Sequence, residues 1–256
     1  MGERQIAIGI DVGGSAIKAG AVDLESGRLV AERIQVDTPH PSTPAAVVEQ
    51  IVDLVNRVSA GDAPNAPVGV TVPSVVIDGV SHTAANIDAG WIGFDAEAAL
   101  EKALGRDVVV LNDADAAGLA EMRFGAGRGR NGVVLMLTLG TGVGSALFVD
   151  GKLVPNTELG HMEIRGMDAE KRSAAIARVR DNESWERWAA DLDEHLTAID
   201  RILWPSLIIL GGGVSHEDEK FVPLLSIRPP IVPAGLENDA GIVGAAMAAA
   251  ERTAPA

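Results

Sequence analysis

The sequence of 256 residues contains no cysteine and no tyrosine, and aromatic residues make up only 3% of it. Without cysteine, neither disulfide bonds nor thiolate metal sites can form, a composition that suits a cytoplasmic protein. Because 47% of the residues are hydrophobic and few are aromatic, the core must be built from aliphatic side chains. No apolar run reaches the roughly 18 residues that a membrane-spanning helix needs. The first residues lead directly into a predicted strand, so we expect no secretory signal.

Basic residues are also scarce in this chain. It has 21 lysine and arginine residues against 36 aspartate and glutamate residues, which gives a net charge of −15. Nonspecific DNA binding depends on neutralising phosphates with basic side chains, so this class of function is disfavoured. The simplest interpretation of the acidic charge is solubility. An anionic substrate would therefore need a local groove of basic residues.

Hydrophobic patterning is clear along the chain and predicts the alternating strands and helices of an α/β protein. The predicted strands are 5–12, 16–24, Leu29–Val36, Val68–Val72, Val108–Leu111, Val133–Thr138, Ser145–Val149 and Leu207–Leu210. The first predicted helix begins at Pro44, after the N-cap residue Thr43. The other predicted helices cover Phe94–Leu104, Ala114–Phe124, Ser184–Leu203 and Asp239–Glu251. The last helix is rich in alanine and glycine, which favours close packing against another element.

A strand, a glycine-rich turn and a second strand occur twice, over 6–24 and 133–149, which indicates a duplicated architecture. In the first copy, an apolar strand leads into Asp11, and Gly13, Gly14, Ser15 and Lys18 follow. A carboxylate, open backbone N–H groups, a hydroxyl and a cation together indicate a phosphate site. The segment Asp11–Lys18 matches neither the Walker A pattern nor GxGxxG, which disfavours a P-loop or Rossmann site there. The alternative is an ordinary glycine-rich hairpin turn.

Two later strands also run into glycines. The segment Thr138–Gly142 follows one strand and, taken alone, is best explained as a second tight turn. Paired with the first turn, it is interpreted as the opposite wall of a phosphate cleft. The segment Gly211–Gly213 follows the last strand. It is either a turn that lets a phosphate approach the backbone or a simple strand-to-helix connection.

Two further segments carry chemically useful side chains. Asn112 and Asp113 follow a hydrophobic strand, where a carboxylate is suited to act as a general base. Capping of the next helix by Asp113 is an equally good interpretation. Glu158, His161 and Glu163 place two acids and an imidazole close together, which suits a metal or a polyhydroxyl ligand. Their spacing lacks the geometry of HExxH, so we favour sugar hydroxyls over zinc, with a solvated polar loop as the alternative.

The remaining histidines have no recognisable partner pattern. We therefore predict that they lie on the surface. They are His40, His82, His195 and His216.

Taken in order, four segments resemble the motifs of the ROK sugar kinases. They are Asp11–Lys18, Asn112–Ala116, Leu139–Gly144 and Glu158–His161. The resemblance implies an actin-like, ribonuclease H-like α/β fold of two domains with the active site in the cleft between them. The expected domains are 1–112 with 239–256 as the small one and 113–238 as the large one. Many ROK members carry a cysteine-rich zinc motif after the fourth segment, and this sequence has no cysteine to build it.

The C-terminal half resembles the polyphosphate-dependent glucokinases of actinobacteria within that family. The similar segments are 162–172, Trp185–Trp188, Trp204–Ser206 and Glu237–Ala246. This resemblance implies transfer of a phosphoryl group from inorganic polyphosphate to O6 of glucose, and it leaves ATP open as a second donor. It also implies Mg²⁺ as cofactor, no structural zinc and a homodimer. The alternatives are a hexose kinase that uses ATP alone and a sugar-sensing regulator, which is disfavoured because no helix-turn-helix domain is present.

The resemblance further implies a role for individual residues. Asp113 is the implied base for the sugar hydroxyl, and Asp11 is the implied ligand of Mg²⁺ through water. The implied sugar-binding residues are Asn86, Asn112, Asp113, Glu158 and His161. The implied phosphate-binding residues are Asp11, Gly13, Gly14, Ser15, Lys18, Thr138, Gly140, Thr141 and Gly142, with Gly211, Gly212 and Gly213 at the nucleotide or polyphosphate end.

Two parts of the expected site are less well defined. Zinc-bearing relatives have a sugar-contacting glutamate next to the metal motif, and Glu163 is the candidate for its equivalent. A polyphosphate chain needs several cations along a groove. The candidates are Lys18, Arg128, Arg130, Lys152, Lys171 and Arg172, at least half of which we expect to be scattered surface charges.

Overall fold

A computed structural model describes residues 5–59, 65–84 and 87–253 of the chain. These residues form two compact units, 1–120 with 239–256 and 121–238. Within the described ranges, no helix combines the length and the apolar character of a membrane span.

The first unit is built on a six-stranded sheet. Its strands are β1 (Ile6–Val12), β2 (Ala16–Asp23), β3 (Arg28–Leu29), β4 (Ile34–Asp37), β5 (Val68–Val72) and, after a small hairpin of β6 (Val76–Ile77) and β7 (Val80–Ser81), β8 (Val108–Asn112). The order in the sheet is β3-β2-β1-β5-β8, and β4 pairs with β2 as well. The β1–β2 pair is antiparallel, while β1–β5 and β5–β8 are parallel.

The predicted single strand Leu29–Val36 is wrong, because the chain forms the separate strands β3 and β4 there. Both strands pair with β2, but the register slips by two residues, from Asp23 opposite Arg28 to Ala19 opposite Ile34. The residues between the two strands leave the sheet, and the side chain of Arg33 bonds to Asp239 at 2.6 Å. A local apolar pattern carries no information about such a contact with the far end of the chain.

The helices of the first unit are α1 (Pro44–Ser59), α2 (Ala96–Leu104) and α7 (Ala240–Thr253), while α3 (Asp113–Phe124) follows β8 and ends in the second unit. The helix α2 begins after Asp95 rather than at Phe94, since the Asp95 side chain accepts from the N–H of Ala98 at 2.9 Å. It ends at Gly105, whose positive φ of 67° closes the helix as predicted.

Close packing of α7 against the sheet confirms the expectation from its small residues. A Cβ atom on Gly9 of β1 would overlap the carbonyl of Ile242, and one on Gly69 of β5 would overlap that of Ala245. Within α7 itself, Gly244 contacts the backbone of Ala116 in α3 in the same way. Strand and helix backbones therefore approach so closely that only glycine fits at the contact points.

The second unit repeats the strand arrangement of the first. Its strands are β9 (Val133–Leu139), β10 (Val143–Val149), β11 (Lys152–Val154), β12 (Glu163–Ile164), β13 (Met167–Asp168), β14 (Leu207–Gly211) and β15 (Ile231–Pro233). The five-stranded sheet has the order β11-β10-β9-β14-β15, and β12 pairs with β13 apart from it. As in the first unit, the strand–turn–strand pair is antiparallel and the neighbours on its other side are parallel. The predicted duplication of architecture is confirmed.

Three α-helices belong to the second unit, α4 (Glu170–Ser173), α5 (Ala175–Arg180) and α6 (Trp185–Leu203). Short 3₁₀ helices complete the structure over Ala89–Trp91, Leu159–His161, Gly213–Lys220, Val222–Leu224 and Glu237–Asp239. The predicted helix Ser184–Leu203 is confirmed as α6, and Ser184 is its N-cap, because its side chain accepts from the N–H of Arg187 at 3.3 Å.

Glu121 is a completely buried acid near the end of α3. One carboxylate oxygen accepts from the backbone N–H groups of Ala126 and Gly235, and the other accepts from that of Leu236. Three donors on one carboxylate compensate for its burial. The side chain thereby connects the loop after α3 with the segment after β15.

Candidate active site

The β1–β2 turn of the first unit places a carboxylate and an ammonium side by side. Asp11 and Lys18 are directly opposite in the antiparallel ladder, so both side chains lie on one face of the sheet. The Nζ of Lys18 is 3.4 Å from Oδ2 of Asp11. The hydroxyl of Thr71, on β5, donates to Oδ1 of Asp11 at 3.0 Å. Thr71 is fully buried and orients the carboxylate, a role that the local motif does not reveal.

The turn itself is tied down at its base and exposed at its tip. The N–H of Gly13 donates to the carbonyl of Ala16 at 2.9 Å, and the Gly13 carbonyl accepts from the hydroxyl of Thr38 at 2.6 Å. Gly14 and Ser15 are exposed. The turn is therefore an anchored loop whose tip is accessible to a ligand.

At the end of β8, the side chain of Asn112 caps α3, a role that the sequence also allowed for Asp113. Its Oδ1 accepts from the N–H of Asp115 at 3.0 Å, which caps α3, and its Nδ2 donates to the carbonyl of Ser74 at 3.1 Å. Asp113 is the first residue of α3 and is half-buried; its Oδ1 accepts from the N–H of Ala114 at 2.8 Å. Because Asn112 caps the helix, the interpretation of Asp113 as the helix cap is wrong.

In the second unit, the turn between β9 and β10 has an unusually open glycine. A Cβ atom on Gly140 would meet nothing within 4 Å, and the φ of this residue is not in the left-handed region. Neither packing nor backbone conformation therefore requires glycine there, and its effect is to leave the backbone uncovered. The carbonyl of Gly140 accepts from the N–H of Ile176 at 3.1 Å, which holds the start of α5 against the turn. Thr138 lies at the end of β9, and Thr141 is exposed.

Gly211 ends β14, and Gly212 and Gly213 follow it beside that turn. Gly211 is paired with Thr138 in the parallel ladder. Gly212 has a positive φ of 86°, and a Cβ atom there would overlap the backbone of Leu139. Gly213, by contrast, has open space at its Cβ position. The fold requires glycine at 212, whereas at 213 glycine leaves the backbone accessible.

Three carboxylates surround the imidazole of His161. Its Nε2 is 3.6 Å from Glu158, and its Nδ1 is 3.8 Å from both Asp168 and Glu170. Burial raises the pKa of the Glu158 carboxyl; the charge of His161 opposes this rise and that of Glu170 adds to it. Glu170 also accepts from the N–H of Val143 at 2.9 Å, so this acid connects the group to the β9–β10 turn. The group offers several acceptors to a polyhydroxyl ligand.

Asp168 and Glu170 were not among the predicted site residues. Glu163, the predicted candidate, is exposed on β12, and the described ion pairs of His161 involve Glu170 instead. Glu170 comes twelve positions after Glu158, so no short spacing joins them. The only sequence signal for Glu170 is its place in 162–172, a segment that resembles the polyphosphate-dependent glucokinases. Asn86 lies outside the described residues.

The prediction that all other histidines lie on the surface is wrong for His195. Its side chain is 1% exposed, whereas His40, His82 and His216 are exposed. Its ring nitrogens lie 2.9 Å from Ser173 Oγ and from the carbonyl oxygen of Leu159. Both partners are distant in sequence, which is why no local pattern reveals them.

The predicted polyphosphate-binding cations have different environments. Arg172 is largely buried and pairs with Asp191 and Glu194, which assigns it to the structure of the unit rather than to a groove. Lys171 lies 3.5 Å from Asp168. Exposed basic residues remain at Arg128, Arg130 and Lys152.

The donor atoms present suit a loosely held magnesium ion. Among the described residues, no group of three or more histidines and acids has the geometry of a metal site. Magnesium commonly uses one or two carboxylates and completes its shell with water and substrate phosphates. Asp11, with its carboxylate oriented by Thr71, fits such a site.

Comparison with known proteins identifies the class. The family model described as "ROK family" matches residues 7–176, and the chain belongs to this family. It is 50% identical to the polyphosphate glucokinase of Mycobacterium tuberculosis over 246 residues, which cover 96% of this chain and 91% of that protein. The polyphosphate glucokinase of Mycobacterium leprae is 48% identical over the same length, covering 96% of this chain and 75% of that protein.

Solved structures agree with this assignment. The inorganic polyphosphate/ATP-glucomannokinase from Arthrobacter sp. strain KM matches with a TM-score of 0.93 and 50% identity, covering 96% of this chain and 99% of that one. A ROK family glucokinase from Streptomyces griseus, solved with glucose and AMPPNP, matches with a TM-score of 0.82 and 27% identity, covering 96% and 99% of the two chains. The predicted actin-like, two-domain α/β fold is confirmed.

Proposed function

We propose that this protein transfers a phosphoryl group from inorganic polyphosphate to O6 of glucose. The observation that carries the chemical proposal is that Asn112, and not Asp113, caps the start of α3. Asn112 caps the helix, so the half-buried carboxylate of Asp113 beside it is not needed for that role. Asp113 is then the general base that takes the proton of the attacking hydroxyl. The 50% identity to mycobacterial polyphosphate glucokinases supports the choice of donor and acceptor.

The sugar-binding role falls to the acids around His161. In this proposal Glu158, His161 and Glu170 hold the hydroxyls that do not react, with Glu170 replacing Glu163 as the candidate. Carboxylates suit this task because one carboxylate accepts hydrogen bonds from two neighbouring hydroxyls. Asn112 orients the start of α3 with one bond at each end of its amide, which leaves one N–H and one lone pair, and it stays a predicted sugar-binding residue. Asn86 stays a predicted sugar-binding residue.

The phosphate-binding role falls to the glycine turns and to the Asp11–Lys18 pair. Phosphoryl transfer passes through a loose transition state, so catalysis depends mainly on positioning and on charge stabilisation. The open space at the Cβ positions of Gly140 and Gly213 leaves room for phosphate oxygens near the backbone, and the N–H of Gly140 itself is bonded to the carbonyl of Gly142 at 3.0 Å. When bound, Mg²⁺ neutralises charge on the phosphates. Asp11 would hold it through water, and Lys18 would offset charge on the transferred group.

A donor comparison tests the proposed function. Purified protein is assayed for glucose 6-phosphate with polyphosphate, ATP and GTP in parallel, and the series is repeated with mannose as acceptor. We expect turnover of glucose with polyphosphate, in a reaction that requires Mg²⁺. Activity with ATP alone would contradict the choice of donor while preserving the kinase assignment. Absence of hexose phosphorylation with every donor would contradict the enzyme assignment.

Charge reversal at the exposed arginines tests how the polymer is held. A long chain of phosphates gains from cations beyond the reacting group, whereas the short phosphate chain of ATP gains less. We expect Arg128→Glu with Arg130→Glu to raise the KM for long polyphosphate more than the KM for ATP. The matched control is Arg201→Glu, which reverses an exposed charge near the end of α6 in the same unit, at a residue outside the predicted groove. Equal effects on both donors would contradict a role in polymer binding.

Use of ATP as a second donor, acceptance of mannose, a homodimeric state and a cytoplasmic location stay predictions. The name of the Arthrobacter enzyme, which includes both polyphosphate and ATP, supports testing both donors. Size-exclusion chromatography with light scattering tests the homodimer.

A further inference from the structure

A buried histidine without a role in the proposed chemistry connects two segments of the second unit. His195 lies in α6 and is 1% exposed. Its Nε2 lies 2.9 Å from the carbonyl oxygen of Leu159, and its Nδ1 lies 2.9 Å from Oγ of Ser173. Leu159 directly follows Glu158, and Ser173 ends α4, the helix that begins with Glu170. One imidazole therefore bonds to both segments that carry acids of the proposed sugar site.

The partners of the ring determine which nitrogen carries hydrogen. A carbonyl oxygen only accepts, so Nε2 donates to Leu159. Burial lowers the pKa of His195, against the opposing effects of the Leu159 bond and of the charge of Glu170, which favours the neutral ring. In the neutral ring, Nδ1 accepts from the hydroxyl of Ser173. The Ser173 hydroxyl also lies 2.9 Å from the carbonyl oxygen of Ala169, and it donates to that oxygen when Nδ1 carries a hydrogen.

Each of the two segments is also held from the opposite side by the β10 region. Oγ of Ser145 accepts from the N–H of Leu159 at 3.1 Å. The carboxylate of Glu170 accepts from the N–H of Val143 at 2.9 Å. The imidazole thus completes a bridge from strand to helix, and a buried ring with both nitrogens bonded has little freedom to move.

We propose that His195 is a positioning residue that sets the spacing between Glu158, His161 and Glu170 for the hydroxyls of the sugar. The inference rests on the proposed function, because it assigns a purpose to that spacing. Loss of the ring removes one of the two donors to the Leu159 carbonyl, which also accepts from the N–H of Met162 at 3.2 Å. The β12–β13 hairpin still joins the two segments, but α6 no longer fixes their spacing. Sugar binding should weaken more than donor binding, because both segments carry acids of the proposed sugar site, whereas the bond of Glu170 to Val143 connects them to the β9–β10 turn from one side only.

Kinetics of matched variants provide the first test. His195→Phe keeps an aromatic ring but removes both bonds, whereas His195→Gln retains a donor at the distance of Nε2. We expect His195→Phe to raise the glucose KM about tenfold, the equivalent of about 1.4 kcal/mol, and to change the polyphosphate KM much less. His195→Gln should recover part of the glucose affinity. If His195→Phe fails to fold, His195→Gln and Ser173→Ala are compared in its place.

A control separates positioning from a general loss of stability. Ile199 is completely buried one turn further along α6. Ile199→Val and Ile199→Ala are both prepared, and the one whose loss in Tm matches that of His195→Phe is the control. This control should keep the wild-type glucose KM. An equal rise in glucose KM for this control, or an unchanged KM in an active His195→Phe enzyme, would overturn the proposal.

Hydrogen exchange provides a readout that does not depend on turnover. In His195→Phe, we expect the amides of 158–161 and 170–173 to exchange faster than in wild type and in the Ile199 control. If the wild-type protein fails to phosphorylate glucose, the proposed function fails, and the exchange rates still decide whether His195 holds the two segments. Unchanged exchange in both segments would overturn the positioning role in either case.

Discussion

Replacement of Asp113 by asparagine isolates the proposed base from the structure around it. The substitution keeps the size of the side chain and retains an oxygen that accepts from the N–H of Ala114, where the carboxylate now accepts at 2.8 Å. The helix cap is untouched because Asn112 provides it, at 3.0 Å from the N–H of Asp115. What is lost is the negative charge and the ability to take a proton.

The structure lets the effects on activity and stability be estimated separately. A general base contributes about 10²- to 10⁴-fold to the rate, so kcat should fall by that factor, equivalent to about 3–5 kcal/mol of barrier. A negative charge in the first turn of a helix contributes about 0.3–1 kcal/mol. The free energy of unfolding should therefore change by less than about 1 kcal/mol. For comparison, Asn112→Ala removes the cap, which should lower stability by about 0.5–2 kcal/mol.

The assay measures kcat with saturating polyphosphate and glucose, and urea unfolding of the same preparations gives stability. Asp113→Asn should be nearly inactive and nearly as stable as wild type, with Asn112→Ala clearly the less stable of the two. A kcat near the wild-type value would refute the assignment of Asp113 as base. A loss of stability as large as that of Asn112→Ala would show that the carboxylate serves mainly the helix.

Three further predictions follow from the described contacts. Because burial raises the pKa of Glu158, this acid becomes protonated at higher pH than an ordinary glutamate, so the glucose KM should rise as the pH falls; a profile that Glu158→Gln leaves unchanged would contradict this. Glu121→Gln places an amide against backbone donors and should lower the free energy of unfolding by about 1.5–3 kcal/mol in urea, unlike an exposed Glu25→Gln control; equal stability would refute the estimate. Gly244→Ala should destabilise the protein by about 1–3 kcal/mol, whereas Gly140→Ala, with open space at its Cβ, should melt normally but raise the donor KM; similar melting of both would be inconsistent with the packing described.

Local sequence predicts the elements of this fold whose determinants are local. The first turn after β1, the start of α6 near Ser184 and the end of α2 at Gly105 depend on residues within a few positions of one another. The division of the predicted strand Leu29–Val36 into two depends instead on the register with β2 and accompanies a contact between Arg33 and Asp239. No hydrophobic pattern records such a contact.

The candidate site shows the same difference. Asp11, Asp113 and His161 stand in short motifs and are predictable, although comparison with relatives does not test their individual roles. Thr71, Glu170 and His195 contribute through partners that are far away in the sequence. An isolated buried histidine in an amphipathic helix resembles any polar surface position until its partners are known, which is why the surface prediction for His195 failed.

The helix α7 belongs to the first unit but comes late in the sequence, and this affects how the protein folds during synthesis. Residues 121–238 form one continuous unit, whereas the sheet of the other unit receives α7 from residues 240–253 at the far end of the chain. A ribosome synthesises the strands that carry Gly9 and Gly69 first and the helix that covers them last. During translation the continuous unit is able to fold while the first sheet still has a bare apolar face. Nascent chains that stall before α7 emerges should therefore be the species that chaperones hold.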